Sequence, residues 1–212
     1  MITVKLFVFN PFQVNCYVLS DETGECIVVD ASCYTEAEKA TLVQYIESQG
    51  LKLVKLVNTH GHVDHLLGLR HLSDKFGVGF AINDADVKLV TEAQKHGVIF
   101  GFDVEEPPVV TEYLTEGKDV TFGNSVLKTF FVPGHSPGSI AFYSPEQHFV
   151  ITGDVLFAGS IGRTDLPGGD YDQLMNSIYK KLMVLPPDTE VLPGHGPFSS
   201  IHEEALNNPF LV

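Results

Sequence analysis

The stretch THGHVDH, Thr59 to His65, places three histidines and one aspartate within the six positions His60 to His65. Imidazoles and carboxylates are costly to bury unless something pairs with them, and four at this density are difficult to explain as core packing. In an extended loop His60 and His62 point the same way and can hold one metal ion together. If a helix begins near Asp64, that carboxylate and His65 turn towards a second position. His135, Asp154 and His195 share the setting, each following a strand-like run with glycine beside it, in PGHS, TGD and PGHG. Loops at strand ends, with glycines that admit close backbone approach, are where a rigid scaffold presents chemical groups. Two ions need about three protein ligands each plus a shared water, the arrangement of open catalytic sites, and these seven residues meet that count. The Asp154 carboxylate is the natural bridge, because its two oxygens can serve both ions. A donor set of nitrogen and oxygen suits zinc, iron or manganese and does not choose between them. His71, His96, His148 and His202 lack this setting and are read as ordinary structural or surface residues.

The elements that must position these groups are legible in outline. ITVKLFVF and NCYVLS alternate as paired strands, and ECIVVDA is a buried strand ending at Asp30. Leu42, Val43 and Ile46 have helical spacing within a helix over 35–49, which Gly50 stops. LKLVKLVNT is a strand whose C-terminal end delivers the histidine cluster. A helix over about Leu66–Phe76, the strand GVGFAI and a helix capped by Asn83 and running to about Lys95 follow. The segment through FDVEEPPVV is irregular. LKTFFV, IAFYS and HFVITGD are three strands separated by turns. YDQLMNSIYKKLMVL has helical spacing, with an acidic start and lysines towards its end that suit the helix dipole. The strand TEVLP and a short helix close the sequence. Helices flanking two strand-rich halves predict a layered α/β sandwich.

Bulk properties narrow the function classes. With 212 residues, 44% of them apolar and fifteen phenylalanines, the chain has ample material for one packed domain over 1–212. A net charge of −14, with only 13 Lys and Arg, argues against a nucleic-acid partner, which clustered cations would have to hold. No apolar run reaches bilayer length, so no membrane partner is expected. The N-terminus alternates like a strand and shows no cleavable small-residue site. Cys16, Cys26 and Cys33 are odd in number and form no C-x-x-C pair, which speaks against a disulfide framework and fits a reducing cytoplasm.

THGHVDH followed at long intervals by GH, GD and GH resembles the metallo-β-lactamase superfamily over nearly the whole chain. Within it, GDVLFAGSIGRTDLPGGD and LPGHGP look most like the glyoxalase II group, in particular the short bacterial hydroxyacylglutathione hydrolase-like proteins. The resemblance implies an αββα sandwich, two mixed β-sheets flanked by helices, with a site for two divalent metal ions, zinc first, at one edge. By residue-wise carry-over His60, His62 and His135 hold the first ion. Asp64, His65 and His195 hold the second, Asp154 bridges, and Asp30 braces the histidine loop. Arg163 falls where longer relatives place a substrate-contacting lysine, and Asp165 replaces a nearby tyrosine. GRTD is therefore either a substrate contact or a locally salt-bridged loop. Pro197 stands where the family has a tyrosine. No Lys or Arg follows Lys181, so the C-terminal helical region whose basic residues hold glutathione carboxylates has no counterpart.

The expected reaction is hydrolysis of a small-molecule thioester such as S-lactoylglutathione. The metals bring a bound water's pKa towards neutrality and Asp64 orients that nucleophile. A thiolate leaves readily, so no strong general acid is required. The rival within the superfamily is a persulfide dioxygenase, which shares a GRTD stretch and works with one iron held by two histidines and an aspartate. The complete second ligand set favours hydrolysis. β-Lactam hydrolysis would fit an exported chain, and a decayed binding domain would lack at least one ligand. The sequence leaves the oligomeric state open.

Overall fold

The computed structural model describes residues 1–212 as two six-stranded sheets packed face to face with helices on both outer faces, the predicted αββα sandwich. The first sheet has the order β1 (Thr3–Phe9), β2 (Val14–Ser20), β3 (Glu25–Val29), β4 (Lys52–Val57), β5 (Phe80–Ile82) and β6 (Val110–Tyr113). The second contains β7 (Val120–Phe122), β8 (Ser125–Phe131), β9 (Ile140–Ser144) and β10 (Phe149–Gly153). A small hairpin of β11 (Leu156–Phe157) and β12 (Ser160–Ile161) follows, and β13 (Glu190–Pro193) and β14 (Ser199–Ser200) complete the second sheet in the order β14-β13-β10-β9-β8-β7.

The strand side chains sort by the period of two onto two buried faces. Cys16 and Val18 of β2, with Cys26 and Val28 of β3, pack beneath helices α1 (Glu36–Ser48) and α2 (Leu69–Phe76) against Leu42, Ile46, Leu69 and Leu72. Their neighbours Tyr17, Leu19, Ile27 and Val29 turn the other way and meet Leu127, Ile140, Phe142 and Ile151 between the sheets. On the far side Ala141, Tyr143, Val150 and Val191 pack against α5 (Tyr171–Ser177), its continuation through Leu182, and α6 (Ile201–Asn207). Both faces of the central strands are covered, so they read as continuous apolar runs.

Several boundaries differ from the sequence expectation. The helix expected from about Leu66 starts at Leu69, preceded by a 3-10 turn over Val63–His65. Asn83 caps a 3-10 turn (Asp84–Asp86), accepting from the Ala85 amide, and the one helix expected to Lys95 is two, α3 (Val87–Thr91) and α4 (Ala93–Phe100). Thr35 and Glu38 form a reciprocal capping box that starts α1. The three cysteines are buried, free and on the first sheet's helix side, where burial pushes the Cys26 and Cys33 thiols up to about 12. No helix is long and apolar enough to cross a membrane.

Candidate metal centre

Register brings the chemical residues together. β3 and β4 run parallel with Val29 opposite Val57, so Asp30 and the THGH loop leave one sheet edge side by side. β10 and β13 are also parallel, with Gly153 opposite Pro193, so Asp154 and His195 leave the second sheet the same way. His135 lies on the β8–β9 loop. The amide of Ile140 donates to Thr59 O at 2.8 Å and joins the two edges. A methyl group on Gly194 would overlap Asp154 Oδ1, which is why the GHG turn opens on glycine.

All seven candidate ligands fall in one cluster. His60, His62 and His135 converge as one group within 4.8 Å, and Asp64, His65 and His195 as another. Asp154 lies between them: Oδ2 is 3.6 Å from His135 Nε2 and 3.4 Å from His195 Nε2, and Oδ1 is 3.5 Å from His65 Nε2. Within the second group His195 Nε2 is 3.5 Å from Asp64 Oδ2. The 3-10 turn over Val63–His65 carries Asp64 and His65, and the His65 ring packs 4.2 Å from that of His60, so the two groups adjoin.

The outward ring nitrogens of four of the five histidines are engaged, which decides their inward ones. His65 Nδ1 donates to Asp30 Oδ2 (3.1 Å), His135 Nδ1 to Arg163 O (2.8 Å) and His195 Nδ1 to Phe12 O (2.9 Å). The Thr59 hydroxyl donates to Asp30 Oδ2 at 2.7 Å, so it accepts from His60 Nδ1 at 3.0 Å. One carboxylate, Asp30, thus steadies a histidine of each group, and it is held in a left-handed backbone conformation (φ 54°) rare for a side-chain-bearing residue. Asp30, His60 and His65 also lie close together, but the Asp30 oxygens are occupied by Thr59 and His65. That makes Asp30 a brace rather than a ligand. Four histidines therefore present Nε2 inward and His62 presents Nδ1, 2.8 Å from His135 Nε2.

This donor set fits divalent cations. His60 Nε2 and Asp154 Oδ1 are fully buried without a hydrogen-bond partner, and the bare Nε2 atoms of His65 and His195 face each other at 3.3 Å. Only a cation or a proton stabilises that arrangement. Burial opposes charging of both rings, but the Asp154 and Asp64 carboxylates outweigh it. They push His195 up to about 9 and hold His65 well above the usual histidine range. Burial, with His135 opposite, takes His62 down to about 3, and burial beside His65 keeps His60 well below its ordinary value. Burial also acts against ionisation of Asp154 and Asp64, yet the surrounding imidazoles keep both below the usual carboxylate range.

Three supports escaped the sequence reading. Asn10 on the β1–β2 loop donates to Asp64 O (3.0 Å) and Ser32 O (3.1 Å), while Phe12 of the same loop supplies the His195 acceptor. Asn15 Nδ2 donates to Pro193 O and Gly196 O, both at 2.9 Å, and pins the GHG turn. Asp86 is the third. Its carboxylate, fully buried, accepts from the amide of Gly61 (2.8 Å), the hydroxyl of Ser136 (2.7 Å) and the amide of Gly138 (2.6 Å). It ties the loop of His60 and His62 to the loop of His135. Only its place after the Asn83 cap could have hinted at this. Asp86→Ala leaves the buried amides of Gly61 and Gly138 unpaired and is expected to destabilise the fold by about 3 kcal/mol. It should also weaken metal binding about tenfold to a hundredfold. Urea unfolding and metal titration of the variant check both, and unchanged metal affinity would show that the loops hold their geometry without it.

Arg163 lines a cavity of about 400 Å³ with His135, Asp154, Phe157, Ala158, His195, Gly196 and Pro197. Its side chain forms a two-pronged pair with Asp165, Nε to Oδ1 at 2.7 Å and Nη2 to Oδ2 at 2.8 Å. Of the two alternatives for GRTD, the salt-bridged loop is the arrangement present. His71, His96, His148 and His202 all stand outside the cluster.

Known proteins share this arrangement of sheets and loops. The family described as the metallo-beta-lactamase superfamily matches residues 9–195. The probable metallo-hydrolase YqgX of Bacillus subtilis is 37% identical over 205 residues, covering 95% of this chain and 94% of that protein. The hydroxyacylglutathione hydrolase GloC of Haemophilus influenzae is 35% identical over 210 residues, 98% of this chain and 97% of that one. The mouse mitochondrial persulfide dioxygenase ETHE1 is 30% identical over 201 residues, 92% of this chain and 70% of that one. Among solved structures, TTHA1623 in a di-iron-bound form superposes with a TM-score of 0.88 at 35% identity, covering 98% of this chain and all of that one.

Proposed function

The chain belongs to the metallo-beta-lactamase superfamily, and we propose that within it the protein is a metal-dependent hydrolase of small-molecule thioesters, of the hydroxyacylglutathione hydrolase kind. One observation carries this reading: Asp154 stands within 3.6 Å of imidazoles from both histidine groups, so one carboxylate reaches two adjacent cation positions. His60, His62 and His135 would hold one ion, Asp64, His65 and His195 the other, with zinc first and iron or manganese equally compatible in donor chemistry. Two such ions supply a Lewis acid for the acyl oxygen and acidify water towards neutral pH.

The chain's own residues do the rest. Asp64 is ionised and reaches the centre from the 3-10 turn, placed to orient the attacking water and accept its proton. Arg163 O and Phe12 O keep His135 and His195 from rotating. Phe157, Ala158 and Pro197 give the cavity an apolar wall beside the acyl group. Hydrolysis forms a carbon–oxygen bond to water, breaks the carbon–sulfur bond and returns the proton to the departing thiolate, giving a carboxylic acid and a thiol. A thiol with an ordinary pKa of about 8.5 leaves without a dedicated acid.

Similarity to a persulfide dioxygenase supports a second reading, oxidation of a persulfide at a single iron. The two separate in one assay of purified protein. Turnover of S-lactoylglutathione without oxygen uptake is the expected result. Oxygen consumption with glutathione persulfide, and no thioester cleavage, would contradict the hydrolase.

A further inference from the structure

The two groups of candidate ligands are braced by different parts of the chain. The loop of His60 and His62 and the loop of His135 meet on the Asp86 carboxylate, through the amides of Gly61 and Gly138 and the hydroxyl of Ser136. The β1–β2 loop, residues 10–13, serves the other group. Asn10 Nδ2 donates to Asp64 O at 3.0 Å, and the Phe12 carbonyl accepts from His195 Nδ1 at 2.9 Å. Directly after the loop, Val14 forms an isolated bridge with His195, and the Asn15 amide donates to Gly194 O at 2.7 Å. None of these bonds reaches His60, His62 or His135.

Asn10 gives the loop its shape. Its backbone is left-handed (φ 56°), a region asparagine enters more readily than most residues with a side chain. Its Oδ1 accepts from the Phe12 amide at 2.9 Å, which fixes Phe12 where its carbonyl meets His195. Its Nδ2 donates to Ser32 O (3.1 Å) as well as to Asp64 O, and its own amide donates to Glu38 Oε1 (2.8 Å) in the capping box of α1. Asn10 is buried, whereas Pro11, Phe12 and Gln13 are exposed. One buried side chain thus fastens an exposed loop to two of the three ligands of a single ion position.

Resting on the two ion positions of the hydrolase reading above, we propose that Asn10 is the positioning residue of the Asp64–His65–His195 position. The β1–β2 loop is then a clamp that sets how firmly that position holds its ion, independently of the position of His60, His62 and His135. Outer partners that orient metal ligands commonly change affinity tenfold to a hundredfold, so loosening this clamp separates the two affinities.

Two single-position backgrounds test the clamp by zinc titration against a chelator. His135→Ala removes a ligand of the first position and His195→Ala one of the second. Asn10→Gly keeps the left-handed backbone without strain and removes the side-chain bonds. Added to His135→Ala, it should weaken zinc binding about tenfold to a hundredfold. Added to His195→Ala, it should leave zinc binding unchanged, and Asp86→Ala should give the reverse pattern. In the otherwise unaltered protein, Asn10→Gly should recover its kcat on S-lactoylglutathione when free zinc is raised by the lost factor, since Asn10 is not among the residues lining the cavity. Equal weakening in both backgrounds, or none in either, overturns the clamp. A kcat that stays low with both ions bound assigns Asn10 to the reaction itself and also overturns it. A parent protein that binds one ion removes the two-position reading and this inference with it. Two ions bound without thioester cleavage, with the expected split in affinity, removes the hydrolase and leaves the clamp standing.

Discussion

Asp154→Ala should lower kcat/KM for thioester cleavage by about 10⁴-fold and leave fewer than two ions per chain. The size of the effect follows from position. Asp154 is largely buried, lies within 3.6 Å of His65, His135 and His195, and is the one candidate-ligand carboxylate that reaches both histidine groups. Removing it also takes one of the two carboxylates that face both His65 and His195, so their protonated forms lose part of their support in the metal-free protein. Asp154→Asn keeps the volume and one acceptor oxygen but loses the charge, and should recover little activity. His71→Ala, outside the cluster, serves as the control and should alter neither metal content nor rate. Metal analysis and steady-state kinetics on the three variants decide the matter, and an active Asp154→Ala enzyme would contradict the bridging role.

The second large effect is a difference in pH dependence between the two ion positions. In metal-free protein His195 keeps its proton up to about 9 and His65 beyond the usual histidine range, because burial is outweighed by Asp154 and Asp64. A metal entering the Asp64–His65–His195 position must displace those protons. Its affinity therefore falls about tenfold per pH unit for each proton released below about pH 9, up to about a hundredfold for two. His60 and His62 are held neutral by burial, His62 down to about 3, so the position they share with His135 has no such proton to expel from them between pH 6 and 8. Chelator competition at pH 6, 7 and 8 should show one steep and one shallow site, the steep one emptying first. Equal slopes would contradict the assignment of residues to the two positions.

The same shifts fix the stability of the metal-free protein. The folded pKa of His195 is raised, so its contribution is complete below about pH 6.5 and is lost as pH rises through about 9; it amounts to about 3 kcal/mol. The folded pKa of His62 is depressed, so its contribution is present above about pH 6.5 and falls away as the solution is acidified towards 3. Stability should peak between these limits.

How far the sequence foretold this site depended on the distance over which each residue acts. The αββα layering was legible because strands buried on both faces and helices buried on one leave different apolar periods. The seven clustered residues were legible because His60, His62, His135, Asp154 and His195 each sit beside glycine at a strand end, and Asp64 and His65 follow within the same dense motif, both local signals. Asp86 left no such signal: its partners Gly61, Ser136 and Gly138 are 25 to 52 positions away, and only the fold brings them to one carboxylate. The Phe12 carbonyl that holds His195 is 183 positions distant and carries no side-chain identity at all. The break between α3 and α4 and the late start of α2 were missed for a different reason. The apolar spacing continues across both, while Glu92 leaves the helical backbone region between α3 and α4 and the 3-10 turn at Val63–His65 delays α2.

Activity measured as metal is returned, equivalent by equivalent, to stripped protein tests the central claim most directly. With zinc, and separately with ferrous iron under nitrogen, thioester cleavage should rise until two ions per chain are bound and stay flat beyond. Full activity at one equivalent, or a protein that cleaves no thioester yet consumes oxygen with one iron, would contradict a two-ion hydrolytic centre bridged by Asp154.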